Sequence, residues 1–268
     1  MFDTVLIANR GEIACRIART LKRMKIRCVA VYSDADRDSL HVRMADVALP
    51  LGGHTAAQSY LRADLILAAA KQSGAQAIIP GYGFLSENAE FAAQCEAEGI
   101  VFVGPTPQQM AQFGLKHAAR ELAALAGVPL TPGSGLLADA AAAHQAAARI
   151  GYPVMLKSTA GGGGIGLTRC NDAAELSAAF DSVRRLGQSF FAHAGVFVER
   201  FIDQARHIEV QIFGDGLGQV VALGERDCSL QRRNQKVVEE TPAPHLPETV
   251  RQQLWAAAVG LGRSVLYR

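Results

Sequence analysis

The chain has 268 residues, of which 49% are apolar and 19% charged, with a formal net charge of +2. That balance suits two packed domains, excludes a disordered or fibrous chain, and supplies no concentrated charge for nucleic acid or an anionic membrane. Its cysteines, Cys15, Cys28, Cys95, Cys170 and Cys228, are odd in number and lack C-x-x-C spacing, which argues against a disulfide framework or zinc site and for a reducing cytoplasm.

The opening apolar residues are too few for a signal peptide and read as a buried strand. No run approaches the ~20 apolar residues of a membrane span. The first strand is expected at 5–8, followed by a helix whose face carries Ile13, Ile17 and Leu21, then a strand at 28–32. Helical periodicity returns at 61–71 and 87–98, with short strands at 77–79 and 101–103. Alternation of this kind predicts a doubly wound parallel sheet. Such sheets bind ligands beyond the carboxyl ends of their strands, where Asn9-Arg10-Gly11 and Pro80-Gly81-Tyr82-Gly83 lie.

Pro and Gly at 104–107 and 129–135 mark candidate boundaries, with a helix expected at 108–126 between them and another in the alanine-rich stretch 138–149. From Pro153 the pattern becomes strand, glycine loop, strand, a helix at 173–186 and a strand at 196–199. Segments 207–213 and 219–223 flank Gly214-Asp215-Gly216, a hairpin signal because Asp-Gly tolerates the positive φ of a tight turn. The second half is therefore α+β.

Lys157 ends a strand and is followed by the consecutive glycines 161–164, then Ile165 and Gly166. Unobstructed backbone N–H groups there can close on phosphate oxygens while the lysine supplies a point charge. A flexible hairpin linker is the plain alternative, although linkers are seldom wedged between apolar strands. A P-loop is excluded, because the lysine precedes the glycines. Asn9-Arg10-Gly11-Glu12 has one glycine and fails the dinucleotide fingerprint, which leaves Asp34 and Asp36 weak as ribose ligands. Residues 225–236, from Glu225 to Lys236, form a polar segment that can recognise an anion and a nucleotide together, or serve as a solvated connector.

The segments Ala8-Asn9-Arg10-Gly11-Glu12-Ile13-Ala14 and Pro80-Gly81-Tyr82-Gly83-Phe84-Leu85-Ser86-Glu87-Asn88, Lys157 with its glycines, and Glu225-Arg226-Asp227-Cys228-Ser229 through Lys236-Val237-Val238-Glu239-Glu240 together resemble the biotin carboxylase family in order and spacing. The resemblance implies a pre-ATP-grasp domain over 1–112 and an incomplete ATP-grasp α+β domain over 113–268, with a lid at about 130–203. It implies ATP-dependent carboxylation of biotin by bicarbonate through carboxyphosphate. Lys116 and Lys157 would contact the ATP phosphates, and Gly162, Gly163, Gly164 and Gly166 would cover them. Glu199 and Ile202 would hold the adenine, with His207, Gln231 and Asn234 near the ribose and phosphates. Lys236, assisted by Gln231, would sit on bicarbonate, and Tyr82 would border the biotin.

Asn234 departs from the family pattern, which has histidine there. With Leu115-Lys116-His117 and 130–135, it makes the chain most similar to the urea carboxylase branch. A biotin carboxyl carrier domain, a carboxyltransferase domain and a homodimer are the implied partners. The family's Mg²⁺-binding carboxylates and catalytic arginine fall beyond Arg268, so no metal ligand is assigned and the chain as given is expected to be inactive. Alternatives are an acetyl-, propionyl- or methylcrotonyl-CoA carboxylase subunit, another ATP-grasp ligase forming an acyl phosphate, and a non-catalytic nucleotide-binding module.

Overall fold

The computed structural model describes residues 1–159, 166–191, 195–232 and 234–268. The chain divides into two compact units, Met1–Ala111 and Gln112–Arg268.

In the first unit the chain runs β1 (Thr4–Ile7), α1 (Gly11–Arg23), β2 (Arg27–Tyr32), α2 (Leu40–Met44), β3 (Val47–Pro50), α3 (Ala63–Ser73), β4 (Ala77–Ile79), α4 (Ala89–Ala97) and β5 (Val101–Phe102). The strands are all parallel, in the order β3-β2-β1-β4-β5. Because strand side chains alternate between faces, Leu6, Val29, Val31 and Ile78 pack with Ile66, Ala70, Phe91 and Phe102 on one side. Val5, Ile7, Cys28 and Ala77 pack with Ala14, Ala18 and Leu21 of α1 on the other. The expected stripe on α1 is therefore rotated: Ala14 and Ala18 are buried, whereas Ile13 and Ile17 are half-buried.

Caps set the helix ends that periodicity misplaces. Asn88 accepts a hydrogen bond from the Phe91 N–H at 2.8 Å, so α4 starts at Ala89 rather than 87. Gly74, left-handed at φ 67°, closes α3. Strand β3 and helix α2 were not anticipated. Both are too short for a periodic signal, and β3 is an edge strand ending in Pro50.

Helix α5 (Pro107–Gly114) leads into the second unit, which continues with α6 (Lys116–Leu125), α7 (Ala140–Ile150), β6 (Val154–Ser158), β7 (Leu167–Cys170), α8 (Ala173–Phe191) and β8 (Val196–Arg200). It then has β9 (Ile208–Gly214), β10 (Val220–Asp227), β11 (Gln231–Arg232), β12 (Gln235–Lys236) and α9 (Glu248–Ser264). The single helix expected at 108–126 is broken by Leu115, whose backbone is extended at φ −102° and ψ 116°. Proline at the first position of α5 starts a helix where a boundary was expected, since its missing N–H would be unpaired there anyway.

Strands β7-β6-β8 form an antiparallel sheet. Its inner face, Val154, Leu156, Val196 and Val198, packs on Ala143, Ala147, Leu176 and Phe180 of α7 and α8. Strands β9 and β10 form the expected antiparallel hairpin, with Asp215 accepting hydrogen bonds from the N–H groups of Leu217 and Gln219. The register shifts between Ala222 and Gly224, a bulge at which Gly224 takes φ +121°. The polar segment read as one loop from 225 to 236 is therefore mostly strand: β10 runs to Asp227, and β11 and β12 make a second, two-residue hairpin.

Candidate functional site

At the carboxyl ends of β1 and β4, the Asn9 side-chain amide donates to the carbonyls of Pro80 and Tyr82, at 2.6 and 2.7 Å. Gly81 sits against it at φ +65°, and a Cβ there would lie 3.1 Å from both Asn9 Nδ2 and Ile13 Cγ1. The clamp presents Tyr82 to solvent, with its hydroxyl hydrogen-bonded to Glu12. That hydrogen bond, followed by desolvation and the Glu12 charge, raises the phenol's pKa.

Asp36 has a structural partner set. It accepts from Tyr60 Oη at 2.8 Å and Ser33 Oγ at 3.0 Å, and pairs with Arg10 Nε at 2.9 Å. Its oxygens are consumed inside the fold, which leaves little for a ribose.

In the second unit, the face of β6 and β8 opposite the helices carries Lys157 and Glu199. The ammonium of Lys157 bonds one Glu199 oxygen, and the guanidinium of Arg120, from α6, bonds the other. One turn earlier on α6 lies Lys116, whose N–H bonds the Thr159 carbonyl at 2.9 Å, while the His117 ring bonds the Thr159 hydroxyl. Burial, and then the nearby Lys157 charge, lower the pKa of Lys116. Two cationic side chains thus bond one carboxylate while the Lys116 charge acts on the same group, an excess of positive charge suited to a polyanion.

Gly166 returns the glycine loop to β7 at φ +71°, where a Cβ would come within 2.8 Å of Ser158 Cβ. The predicted phosphate-covering residues Gly162, Gly163 and Gly164 lie outside the described residues, as does Arg233.

A second group gathers on the outer face of β9 and β10. His207 Nδ1 lies 2.9 Å from Gln231 Nε2, and the same amide donates to the Cys228 carbonyl. His207 and Gln231 line a cavity of 480 Å³ together with Arg206 and Ser229. The Lys236 ammonium bonds Glu209, whose carboxylate also accepts from Arg226 Nε at 2.7 Å. Asn234, at φ +61°, makes the turn between β11 and β12, a conformation that asparagine tolerates better than most residues. Ile202 follows β8 and is 48% exposed.

The structure therefore brings the predicted residues into two groups, Lys116 with Lys157 and Glu199, and His207 with Gln231 and Lys236. Arg120, Glu209 and Arg226 complete these groups and were missed. Period-two spacing from His207 places Glu209 on the same strand face, a signal that was present in the sequence. Arg120 gave none beyond its one-turn spacing from Lys116.

Among the described residues, Glu209, Cys228 and Glu239 converge closely enough to hold a cation. They do not suit Mg²⁺. Both carboxylates are engaged by Arg226 and Lys236, and burial pushes the pKa of the soft Cys228 thiol up.

Residues 1–110 match the biotin carboxylase N-terminal domain, and residues 116–268 match the carbamoyl-phosphate synthase L chain ATP-binding domain. A urea amidolyase of Saccharomyces cerevisiae is 59% identical over 268 residues, covering all of this chain and 15% of that protein. A biotin carboxylase of Halalkalibacterium halodurans is 51% identical, covering all of this chain and 60% of the relative. Among solved structures, the biotin carboxylase–β-γ-ATP complex from Campylobacter jejuni superposes with a TM-score of 0.97 at 43% identity, over all of this chain and 60% of that one. The chain spans less than two thirds of the length of each.

Proposed function

The chain belongs to the biotin carboxylase family, and from that premise we propose that it forms the nucleotide- and bicarbonate-handling part of a biotin-dependent carboxylase whose final acceptor is urea. The observation that carries the first half is the pairing of Lys157 and Arg120 with Glu199 at the strand end where the Lys116 backbone bonds Thr159. In this reading Lys116 and Lys157 hold the phosphates of ATP, with the loop 162–166 over them, and Glu199 and Ile202 flank the adenine. Cations fixed beside a phosphoryl group stabilise charge that develops during its transfer, without reorganisation at the moment of reaction.

Lys236 then orients bicarbonate for attack on the γ-phosphate, with Gln231, His207 and Asn234 at the edge of the site. Carboxyphosphate then breaks its carbon–oxygen bond to leave inorganic phosphate and carbon dioxide, which a ureido nitrogen of biotin captures as it loses its proton to the phosphate; Tyr82 is assigned to the border of the biotin. Mg²⁺, where bound, supplies further neutralisation of the phosphates. Its ligands are not assigned to residues of this chain.

We assign 1–112 to the pre-ATP-grasp domain and 113–268 to the ATP-grasp domain, with a lid at about 130–203. The partners in this reading are a biotin carboxyl carrier domain, a carboxyltransferase domain and a second copy of the chain. Urea as acceptor rests on the higher identity to urea amidolyase, 59% against 51% for the biotin carboxylase. A cytoplasmic location belongs to the same reading, supported by the free, buried cysteines; no described helix is long and apolar enough to cross a membrane.

The test is ADP release by the full natural polypeptide, with bicarbonate present and urea, acetyl-CoA, propionyl-CoA or methylcrotonyl-CoA added in turn. Stimulation by urea, abolished by Lys236→Gln, is expected. Stimulation by an acyl-CoA alone would transfer the assignment to that acceptor. Nucleotide binding without bicarbonate-dependent turnover would leave a binding module.

A further inference from the structure

Glu199 lies where a carboxylate is costly. Its side chain is 11% exposed, and it faces the strand position from which Lys157 is to hold phosphate. A polyphosphate arriving at Lys157 competes with Glu199 for the same ammonium. If it wins, a nearly buried carboxylate is left beside a polyanion, and like charges at short range in a partly buried site repel strongly.

Arg120 removes that difficulty by geometry. Its guanidinium bonds the Glu199 oxygen that Lys157 does not use, and donates through Nη2 to the Thr131 carbonyl at 2.8 Å. The space it fills exists because residue 133 is glycine: a Cβ there would sit 2.6 Å from Arg120 Nη2 and 3.2 Å from the Val198 carbonyl. Gly133 is itself bridged to Glu199. The guanidinium is therefore held from two directions, independently of Lys157, and its planar fork suits a carboxylate and a carbonyl at once.

We propose that Arg120 is a positioning residue: it retains Glu199 when nucleotide phosphates take over Lys157, so that the lysine can exchange one anion for another. The inference rests on the nucleotide-site reading above. It makes Glu199 and phosphate alternative partners of the Lys157 ammonium, and it makes Arg120 a determinant of phosphate affinity without contact to the phosphate.

The test measures ADP and adenosine binding by calorimetry on the full natural polypeptide. Arg120→Ala should weaken ADP about tenfold and adenosine, whose adenine Glu199 flanks, by clearly less, since only the phosphates displace Glu199 from Lys157. Adding Glu199→Gln to that variant should restore most of the ADP affinity, whereas Glu199→Gln alone should give much less gain. Arg120→Lys, which keeps a charge for Glu199, should bind ADP close to the wild type.

Equal loss of ADP and adenosine in Arg120→Ala would indicate a merely structural role and overturn the inference. So would equal gain from Glu199→Gln in both backgrounds, which is what simple addition of potentials gives. Should Arg120→Ala not fold, Arg120→Gln and Arg120→Lys decide: weaker ADP binding by the glutamine variant is expected, and parity overturns the proposal. ADP binding indifferent to residue 120 defeats this inference alone, whereas a wild type that does not bind ADP defeats the nucleotide reading with it.

Discussion

Glu209 and Arg226 are register partners across β9 and β10, with Arg226 Nε 2.7 Å from a Glu209 carboxylate oxygen. The other oxygen receives the ammonium of Lys236, so the carboxylate lies between two cations on one strand face. Burial acts to raise the Glu209 pKa, but the hydrogen bonds from Lys236 and Arg226 outweigh it and hold it below its ordinary 4.5. The same contact with Glu209 raises Lys236 above 10.5.

Both shifts set the direction of a pH response. A depressed carboxylate contributes stability that is present above its unfolded pKa and lost as pH falls through the folded value. The raised lysine contributes stability that is present below its unfolded pKa and lost as pH rises through its folded value. Glu209→Gln should therefore flatten the acid limb. Between about pH 7 and about pH 3 its unfolding temperature should fall less steeply than that of the wild type. Identical slopes would mean that the pair adds nothing to folding.

Glu225 is 1% exposed and accepts from Arg251 Nε at 2.8 Å, Trp255 Nε1 at 2.9 Å and the Ala243 N–H at 3.2 Å. Glu225→Ala strands the Trp255 indole N–H and leaves the Arg251 guanidinium with its exposed partner Glu248, a loss of about 3 kcal/mol. Denaturant unfolding checks it. A cost below about 1 kcal/mol would show that water replaces the carboxylate.

Asp36→Asn removes the charge that Arg10, Tyr60 and Ser33 converge on, and should cost about 2 kcal/mol in urea unfolding. Burial acts to raise the Asp36 pKa, but hydrogen bonds from Tyr60 and Ser33 and the Arg10 charge lower it on balance. Its stabilising contribution is therefore present above the unfolded pKa and lost as pH falls. The asparagine variant should lack that loss, and an unchanged acid response would contradict the assigned network.

Gly81→Ala places a side chain at φ +65° and a Cβ 3.1 Å from the Asn9 amide. The expected cost is about 1–2 kcal/mol. Hydrogen exchange should show the first β-αβ region opening more readily, and an alanine variant as stable as the wild type would show that Asn9 and Ile13 yield without strain.

The doubly wound sheet was legible in the sequence because buried parallel strands leave compact β-branched runs and their connecting helices leave a 3.6-residue period. Lys157, Gly166, Gln231 and Lys236 could be singled out for the same kind of reason: each belongs to a short local pattern whose chemistry survives without knowledge of distant partners, whereas His207 was singled out only by the family resemblance. Helix ends were less legible, since Asn88 and Leu115 act through single hydrogen bonds or backbone angles that periodicity averages over.

Two features of the site were settled only in three dimensions. Arg120 meets Glu199 from 79 positions away, and nothing local to either residue encodes that contact. Across β9 and β10, the turn alone would set residue 225 opposite Glu209, but the bulge between Ala222 and Gly224 moves the pairing by one, to Arg226. The physical reason is the two-residue period of a strand: a single extra residue exchanges the faces, sending Glu225 to the core beneath α9 and Arg226 to the site. Sequence by itself determined which residue types were available for anion chemistry, and the tertiary structure decided which of two adjacent charges stands beside Glu209 and Lys236.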